Sequence, residues 1–171
     1  MSNCIDTPRL RLTSMTDADA DSVIDMLTHP EVIQTFMVPD FPSRQEALKL
    51  FERLKALSLA EDRFVYGIYL EDQIVGFLND IDRNGDEIEL GYVIHPQYKN
   101  RGFATEALAA SIKSLFAQGF AAVKTGAFVE NAASIRVMEK CGMTLLPQTE
   151  DIEYRGRVHR CVYYEARNST Q

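Results

Sequence analysis

One segment, residues 87–117, constrains the fold more than any other part of the chain. Every second residue from Ile88 to Ile94 is apolar, which is typical of a strand with one buried face. A short loop of basic and small residues follows, and from Phe103 onwards apolar residues recur at helical spacing until Gly119. A strand that passes through a short loop into a helix predicts a sheet with a helix packed against it.

The remaining patterns place further strands and helices around this segment. Alternating or continuous apolar runs predict strands, and capping signals with apolar spacing predict helices. The turn residues Asn84-Gly85-Asp86 predict a tight hairpin with positive φ angles. No repeat or linker divides the 171 residues, so we expect a single domain with an α+β (mixed α/β) fold and helices on both faces of the sheet. The predicted strands are 9–13, 63–70, 73–83, 87–94, 122–129, 144–148 and 158–165. The predicted helices are about 16–28, a short one that starts at 29–31, 43–59, 103–118 and 133–141.

Composition and charge exclude several classes of protein. The chain has 18 basic and 25 acidic residues, a net charge of −7, which argues against a nucleic-acid partner. Charges interrupt every apolar run before the roughly 18–20 residues of a membrane span, and no secretory signal is visible at the start. Three widely spaced cysteines and three scattered histidines predict neither disulfides nor a metal site. We therefore expect a cytoplasmic protein.

The loop before the 103–118 helix carries a candidate anion site. Gly102 lacks a β-carbon, so a ligand can approach its backbone closely. The unpaired N–H groups of the first helical turn attract an anion, and Lys99 and Arg101 add positive charge. The chain contains neither a Gly-x-x-x-x-Gly-Lys-Ser/Thr nor a Gly-x-Gly-x-x-Gly motif. These residues predict a phosphate or pyrophosphate site.

The same residues resemble a known family. Lys99-Asn-Arg-Gly102-Phe-Ala104 is similar to motif A of the GCN5-related N-acetyltransferases (the GNAT superfamily), with Lys in place of the usual Gln or Arg. Asn131-Ala-Ala-Ser134 and Val137-Met-Glu-Lys-Cys-Gly-Met143 resemble motif B at the expected separation. Thr7-Pro-Arg-Leu-Arg-Leu12 and Tyr154-Arg-Gly156 resemble the subgroup that contains the ribosomal-protein acetyltransferases RimJ and RimL. The resemblance covers essentially the whole chain.

This resemblance implies a more specific fold and a cosubstrate. The fold would be a mostly antiparallel sheet of about seven strands, splayed between the fourth (87–94) and fifth (122–129). Acetyl-CoA would lie in the gap, with its pyrophosphate on the amides of residues 101–105 and its pantetheine arm against Val93 and Ile94. The implied cofactor-binding residues are Val93, Ile94, Lys99, Asn100, Arg101, Gly102, Phe103, Ala104, Thr105, Asn131 and Ser134, without a metal.

The resemblance also implies direct attack of an amine on the thioester, without an acyl-enzyme. Because an alkylammonium is almost fully protonated at pH 7, the reaction needs a base, and Glu89 on the cofactor strand is the first choice, with Glu87 in reserve. A solvated surface carboxylate is an equally good interpretation of Glu89. Ser134 is the candidate for assisting the leaving thiolate, because Met138 occupies the position where several family members have Tyr. Tyr92 is expected in the core.

The acceptor and the assembly stay open at this point. A protein N-terminus, a polyamine, an aminoglycoside or another small amine are all compatible with the sequence, and Phe36, Met37 and Phe41 lie in or near a loop that would line the pocket. A monomer and a homodimer are equally reasonable. The alternatives to an enzyme are a non-catalytic acyl-CoA sensor or adaptor and another mononucleotide-binding protein, which the hairpin before the loop disfavours.

Overall fold

The computed structural model describes residues 4–170 and contains eight strands and five α-helices. Two short 3-10 turns lie at Asp17–Asp19 and Pro96–Tyr98. The strands are β1 (Cys4–Asp6), β2 (Leu10–Thr13), β3 (Val65–Leu70), β4 (Gln73–Asn84), β5 (Glu87–Ile94), β6 (Ala122–Phe128), β7 (Thr144–Tyr154) and β8 (Arg157–Arg167); the helices are α1 (Ala20–Thr28), α2 (Pro30–Ile33), α3 (Arg44–Leu59), α4 (Phe103–Ala117) and α5 (Ala132–Lys140).

All eight strands form one sheet in the order β1-β2-β3-β4-β5-β6-β8-β7. Every neighbouring pair is antiparallel except β5 and β6, which confirms the mixed, mostly antiparallel sheet. The sheet has one strand more than expected, because the three residues of β1 are too few to show an alternating pattern. The final hairpin is longer than predicted, and Arg155 and Gly156 form its turn with φ angles of 51° and 74°. In the β4–β5 turn only Gly85 has a positive φ (64°); Asn84 remains in the strand, contrary to expectation.

The sheet splits between β5 and β6, as predicted for the fourth and fifth strands. The two strands are paired from Glu87 and Ala122 as far as Leu90 and Thr125, and then they separate. Beyond that point β5 pairs only with β4, and β6 pairs only with β8. A bulge in β4 between Asp80 and Asp82 lies opposite the last paired residues of β5. Bulges bend a strand and increase its twist, so this one favours the divergence of the two strands.

Asp80 anchors the bulge. Its carboxylate is 5% exposed and accepts hydrogen bonds from Arg63 Nε and Nη2 (2.9 and 2.8 Å) and from the Phe64 backbone N–H (3.3 Å). The Asp80 N–H in turn donates to the Phe64 carbonyl at 2.9 Å. These contacts fix the neighbouring β3 end to the bulge and hold the split in one place.

Helices cover both faces of the sheet and form two cores. Apolar residues of α4 and α5 pack on one face with Ile88 and Leu90, and those of α1, α2 and α3 pack on the other with Phe77 and Val93. The alternation in β5 thus places its residues as the sequence predicted. Within the described range, no helix has the length and apolarity needed to cross a membrane.

Candidate active site

A cavity of about 730 Å³ opens where β5 and β6 separate. Its wall combines the ends of those strands, the loop before α4, the first turns of α4 and α5, and the chain after α2. Every predicted cofactor-binding residue except Arg101 lines it: Val93, Ile94, Lys99, Asn100, Gly102, Phe103, Ala104, Thr105, Asn131 and Ser134.

The start of α4 supplies donors for an anion. Gly102 is the N-cap with φ 79°, a left-handed conformation that favours glycine. The helix's first backbone bond runs from Glu106 N–H to the Gly102 carbonyl at 3.0 Å, so the N–H groups of Phe103, Ala104 and Thr105 have no carbonyl partner within α4. The dipole of this 15-residue helix adds positive potential at the same place. The geometry fits a phosphate or diphosphate group.

The two predicted cations are arranged differently from expectation. Lys99 lines the cavity, but its ammonium pairs with the Glu31 carboxylate at 2.6 Å and lowers the pKa of that carboxyl. The Arg101 guanidinium lies over the Tyr98 ring at 5.6 Å and not in the cavity wall. The backbone amides of α4 are therefore the principal anion donors of the loop.

Arg9, which was not among the predicted site residues, braces this loop. Its guanidinium donates to the Arg101 carbonyl (2.7 Å) and binds Glu106 through Nε and Nη2 (both 2.7 Å). Burial alone would raise the pKa of Glu106, but hydrogen bonds from Thr7 and Arg9 outweigh it and lower the pKa. The residue lies within the subgroup-like motif Thr7-Pro-Arg9, which was the only sequence signal available.

Asn131 and Ser134 lie together at the start of α5, as predicted. Asn131 is the N-cap of the helix, and its Oδ1 accepts the Ser134 N–H at 3.2 Å. The Ser134 Oγ is 2.7 Å from the Tyr92 hydroxyl. The expectation that Tyr92 belongs to the core is thus incomplete: its ring packs against the core beside α4 and α5, but the side chain also lines the cavity. Burial raises the pKa of Tyr92 to about 12, so its hydroxyl stays protonated at neutral pH.

The two candidate bases are in different environments. Glu87 forms an ion pair with Lys124, which lowers the pKa of its carboxyl. Glu89 has no side-chain hydrogen bond or ion pair within residues 4–170 and lies two positions before Gly91 on the same face of β5. Burial raises the pKa of Glu89, and the charges of Asp82 and Glu150 raise it further. Glu89 is not part of the cavity wall itself, so a water molecule is needed to connect it with a bound substrate.

The end of the cavity remote from the α4 loop is mostly apolar. Phe36 and Met37 line it as expected, together with Ile81 and Phe128. Phe41 does not line the cavity; it packs, like Phe36, against the core formed with α1, α2 and α3. Two side chains of the final hairpin, Tyr154 and Arg155, hold the loop that carries Phe36 and Met37. Arg155 Nη2 donates to the Val38 carbonyl at 3.2 Å. The Tyr154 hydroxyl donates to the Ile33 carbonyl (2.6 Å) and accepts the Val38 N–H (3.3 Å).

Comparison with known proteins identifies the family. The family model described as "Acetyltransferase (GNAT) domain" matches residues 9–144, most of the chain. The chain belongs to the GNAT acetyltransferase family. This confirms the predicted enzyme class, an acyltransferase of the N-acetyltransferase type. Within residues 4–170, no group of three or more His, Cys, Asp or Glu side chains is placed to hold a metal ion.

Relatives and solved structures agree with this assignment. The uncharacterised N-acetyltransferase YoaA of Bacillus subtilis is 26% identical over 143 residues, which is 81% of each chain. The structure of RimL, a ribosomal L7/L12 alpha-N-protein acetyltransferase in complex with coenzyme A, superposes with a TM-score of 0.85 at 19% identity, covering 98% of this chain and 99% of RimL. The microcin C7 self-immunity acetyltransferase MccE, in complex with acetyl-CoA and AMP, gives a TM-score of 0.81 at 17% identity, covering 95% and 94% of the two chains. This GNAT acetyltransferase therefore shares its fold with RimL.

Proposed function

We propose that this GNAT acetyltransferase transfers the acetyl group of acetyl-CoA to a primary amine by direct attack in a ternary complex. The supporting observation is one continuous cavity that joins the first-turn amides of α4 to Ser134 and to Gly91, two residues after Glu89 on β5. The complexes of RimL with coenzyme A and of MccE with acetyl-CoA, which share this fold, support the choice of cosubstrate. The proposal treats the chain as one domain that acts in the cytoplasm.

In this proposal acetyl-CoA lies along the split of the sheet. Its diphosphate accepts hydrogen bonds from the first-turn N–H groups of α4, where the helix dipole also stabilises negative charge. Its pantetheine arm runs beside Val93 and Ile94, whose edge of β5 has lost its β6 partner. The Asn131 side chain lies beside the arm, so the thioester reaches the region of Ser134.

The transfer step uses groups at the inner end of the cavity. The neutral amine attacks the thioester carbonyl carbon, a C–N bond forms, and the C–S bond breaks. The nitrogen loses a proton to Glu89 through water, and the carboxyl releases it to solvent. The departing thiolate accepts a hydrogen bond from the Ser134 hydroxyl and is protonated by water, because a thiol pKa near 8.5 makes it a good leaving group. The Tyr92 hydroxyl lies 2.7 Å from Ser134 Oγ and 3.3 Å from the Ser134 carbonyl; in this proposal it donates to Oγ, which leaves the serine proton free for the sulfur.

The test of the base is the pH dependence of kcat/KM in Glu89→Gln. Glu89 acts when deprotonated, so activity falls as the pH drops through its raised pKa. We expect Glu89→Gln to lower kcat/KM by about 100-fold at neutral pH, with a smaller loss at high pH where free amine is abundant. Glu87→Gln, on the same strand face but ion-paired, is the matched control and should keep the acidic limb. An unchanged pH profile in Glu89→Gln would remove it from this role.

The acceptor is found by measuring thiol release from acetyl-CoA with a panel of amines. The panel contains peptides with free N-termini, spermidine, kanamycin and phenethylamine, which differ in charge and in apolar surface. Turnover of any of them supports the enzyme. Binding of acetyl-CoA without turnover of any amine would instead favour the sensor or adaptor function.

A further inference from the structure

One polar atom in the cavity region has no partner. Among residues 4–170, Asn79 Oδ1 is the one buried side-chain nitrogen or oxygen without a hydrogen bond. The amide nitrogen of the same side chain donates to the Asp80 carbonyl at 3.3 Å, which fixes the orientation of the amide group. Buried acceptors are almost always satisfied in native proteins, so an unsatisfied one beside a cavity indicates a ligand donor.

Asn79 is placed at the inner, acceptor end of the cavity. It pairs with Gly91 across β4 and β5, and both residues line the cavity wall. A β-carbon on Gly91 would lie 3.4 Å from Asn79 Oδ1 and 3.0 Å from Ile81 Cδ1. Because Gly91 has no side chain, the end of the Ile81 side chain occupies the space next to Oδ1. Ile81, which is 57% exposed, lies across this space and can change rotamer to admit a ligand.

We propose that Asn79 Oδ1 accepts an N–H of the acceptor amine and makes the enzyme selective for primary over secondary amines. This inference rests on the proposed acetyl transfer. Glu89 lies on the same face of β5, two residues before Gly91, so the space beside Gly91 is near both the amide oxygen and the base.

The selectivity follows from the hydrogens that an amine carries. A neutral primary amine has two N–H bonds and one lone pair. The lone pair attacks the thioester carbon, one proton leaves towards Glu89, and the other remains on the nitrogen to bind Asn79 Oδ1. A secondary amine has a single N–H, which the base must remove, so Asn79 Oδ1 stays unpaired. Sites built to bind a substrate N–H discriminate strongly against analogues that lack it.

The experiment compares a primary amine with its N-methyl derivative. The amine with the highest kcat/KM in the acceptor panel and its N-methyl derivative are assayed with the wild type, Asn79→Leu and Asn79→Asp. Leucine has the same number and branching of side-chain heavy atoms as asparagine and removes the acceptor, whereas aspartate retains an oxygen. Asn84→Leu is the matched control, because it makes the same change on the same strand at an exposed residue that does not line the cavity. Calorimetric titration of the coenzyme A-loaded proteins with the primary amine gives its affinity without turnover.

Asn79→Leu should lower kcat/KM for the primary amine by about tenfold and weaken its binding, with little change for the N-methyl derivative. Asn79→Asp should retain the preference, and Asn84→Leu should leave both values unchanged. If Asn79→Leu does not fold, Asn79→Ala carries the same comparison, because alanine also removes the acceptor. Equal preference in the wild type and Asn79→Leu would overturn the role of Asn79, whereas a wild type inactive on every amine would overturn the acetyl transfer itself.

Discussion

Replacing Gly102 by alanine tests the anion site at the start of α4. Gly102 has φ 79°, and a β-carbon there would lie 3.2 Å from Arg9 Nη2, a contact that requires the guanidinium to move slightly. A left-handed conformation costs an L-residue about 1–2 kcal/mol, and the smaller entropy of the unfolded alanine chain offsets about 0.4–1 kcal/mol. The net loss of folding free energy is about 1 kcal/mol, which corresponds to a melting temperature lower by about 2–4 °C.

The expected effect on binding is larger than the effect on folding. Relief of the strain rotates the backbone at Gly102, so at least one first-turn N–H loses its alignment with the diphosphate. One hydrogen bond to a charged group contributes about 1.5–3 kcal/mol, so the Kd for acetyl-CoA should rise by at least about tenfold. At a ligand concentration of 100 times the wild-type Kd, the stabilisation by acetyl-CoA should fall from about 2.7 to about 1.4 kcal/mol.

The assay is thermal unfolding with and without acetyl-CoA, with Gly85→Ala as the control. Gly85 also has a positive φ (64°), and a β-carbon there meets no atom within 4 Å, so this variant carries the same backbone penalty far from the cavity. It should lose stability but keep the full response to the ligand. A wild-type ligand response in Gly102→Ala would refute the proposed anion site, and an equal loss in Gly85→Ala would show that destabilisation alone is the cause.

Three further predictions follow from the same contacts. Arg9→Ala should raise the KM for acetyl-CoA about fivefold with little change in kcat, because the half-exposed Arg9 guanidinium holds the loop before α4. Arg11→Ala, which removes an exposed ion pair, is the control and should leave the kinetics unchanged. A wild-type KM in Arg9→Ala would contradict this role of Arg9. Glu150→Gln removes a negative charge that raises the pKa of Glu89, so the acidic limb of the pH–rate profile should move to lower pH. An unshifted limb would show that the charge of Glu150 does not act on the group that titrates there. Asp80→Ala should lower the free energy of unfolding by about 2 kcal/mol in a urea titration, since it leaves a partly exposed arginine and a backbone N–H unpaired.

Sequence patterns predicted the faces of the strands and helices but not how far side chains reach. The alternation in β5 correctly placed the Tyr92 ring on the core face, yet periodicity contains no information on where a hydroxyl at the end of a long side chain lies. The Arg9–Glu106 contact joins residues 97 positions apart, and no local spacing encodes it. The long strand β7 was truncated in the prediction because most of its side chains are exposed, so it lacks an apolar alternation.

The candidate site, too, could be predicted only in part from the sequence. The residues at the start of α4 form one contiguous stretch of the chain and those at the start of α5 form another, so capping rules and motif spacing can indicate them. The acceptor end is assembled from segments that are distant in sequence, including Asn79, Ile81 and Phe128, and only the folded sheet brings them together. No sequence pattern distinguishes Asn79 from other strand residues; its role follows from its position opposite Gly91 and next to the bulge.

The Tyr154 hydroxyl binds the backbone on both sides of Phe36 and Met37. The tip of the last hairpin therefore positions the cavity wall that these two residues form, although Tyr154 does not line the cavity. Substitutions in that hairpin can therefore reshape the pocket while leaving the coenzyme groove intact. Relatives that keep the groove can diverge in the amines they accept through changes more than 100 residues away in the chain from the loop that is reshaped.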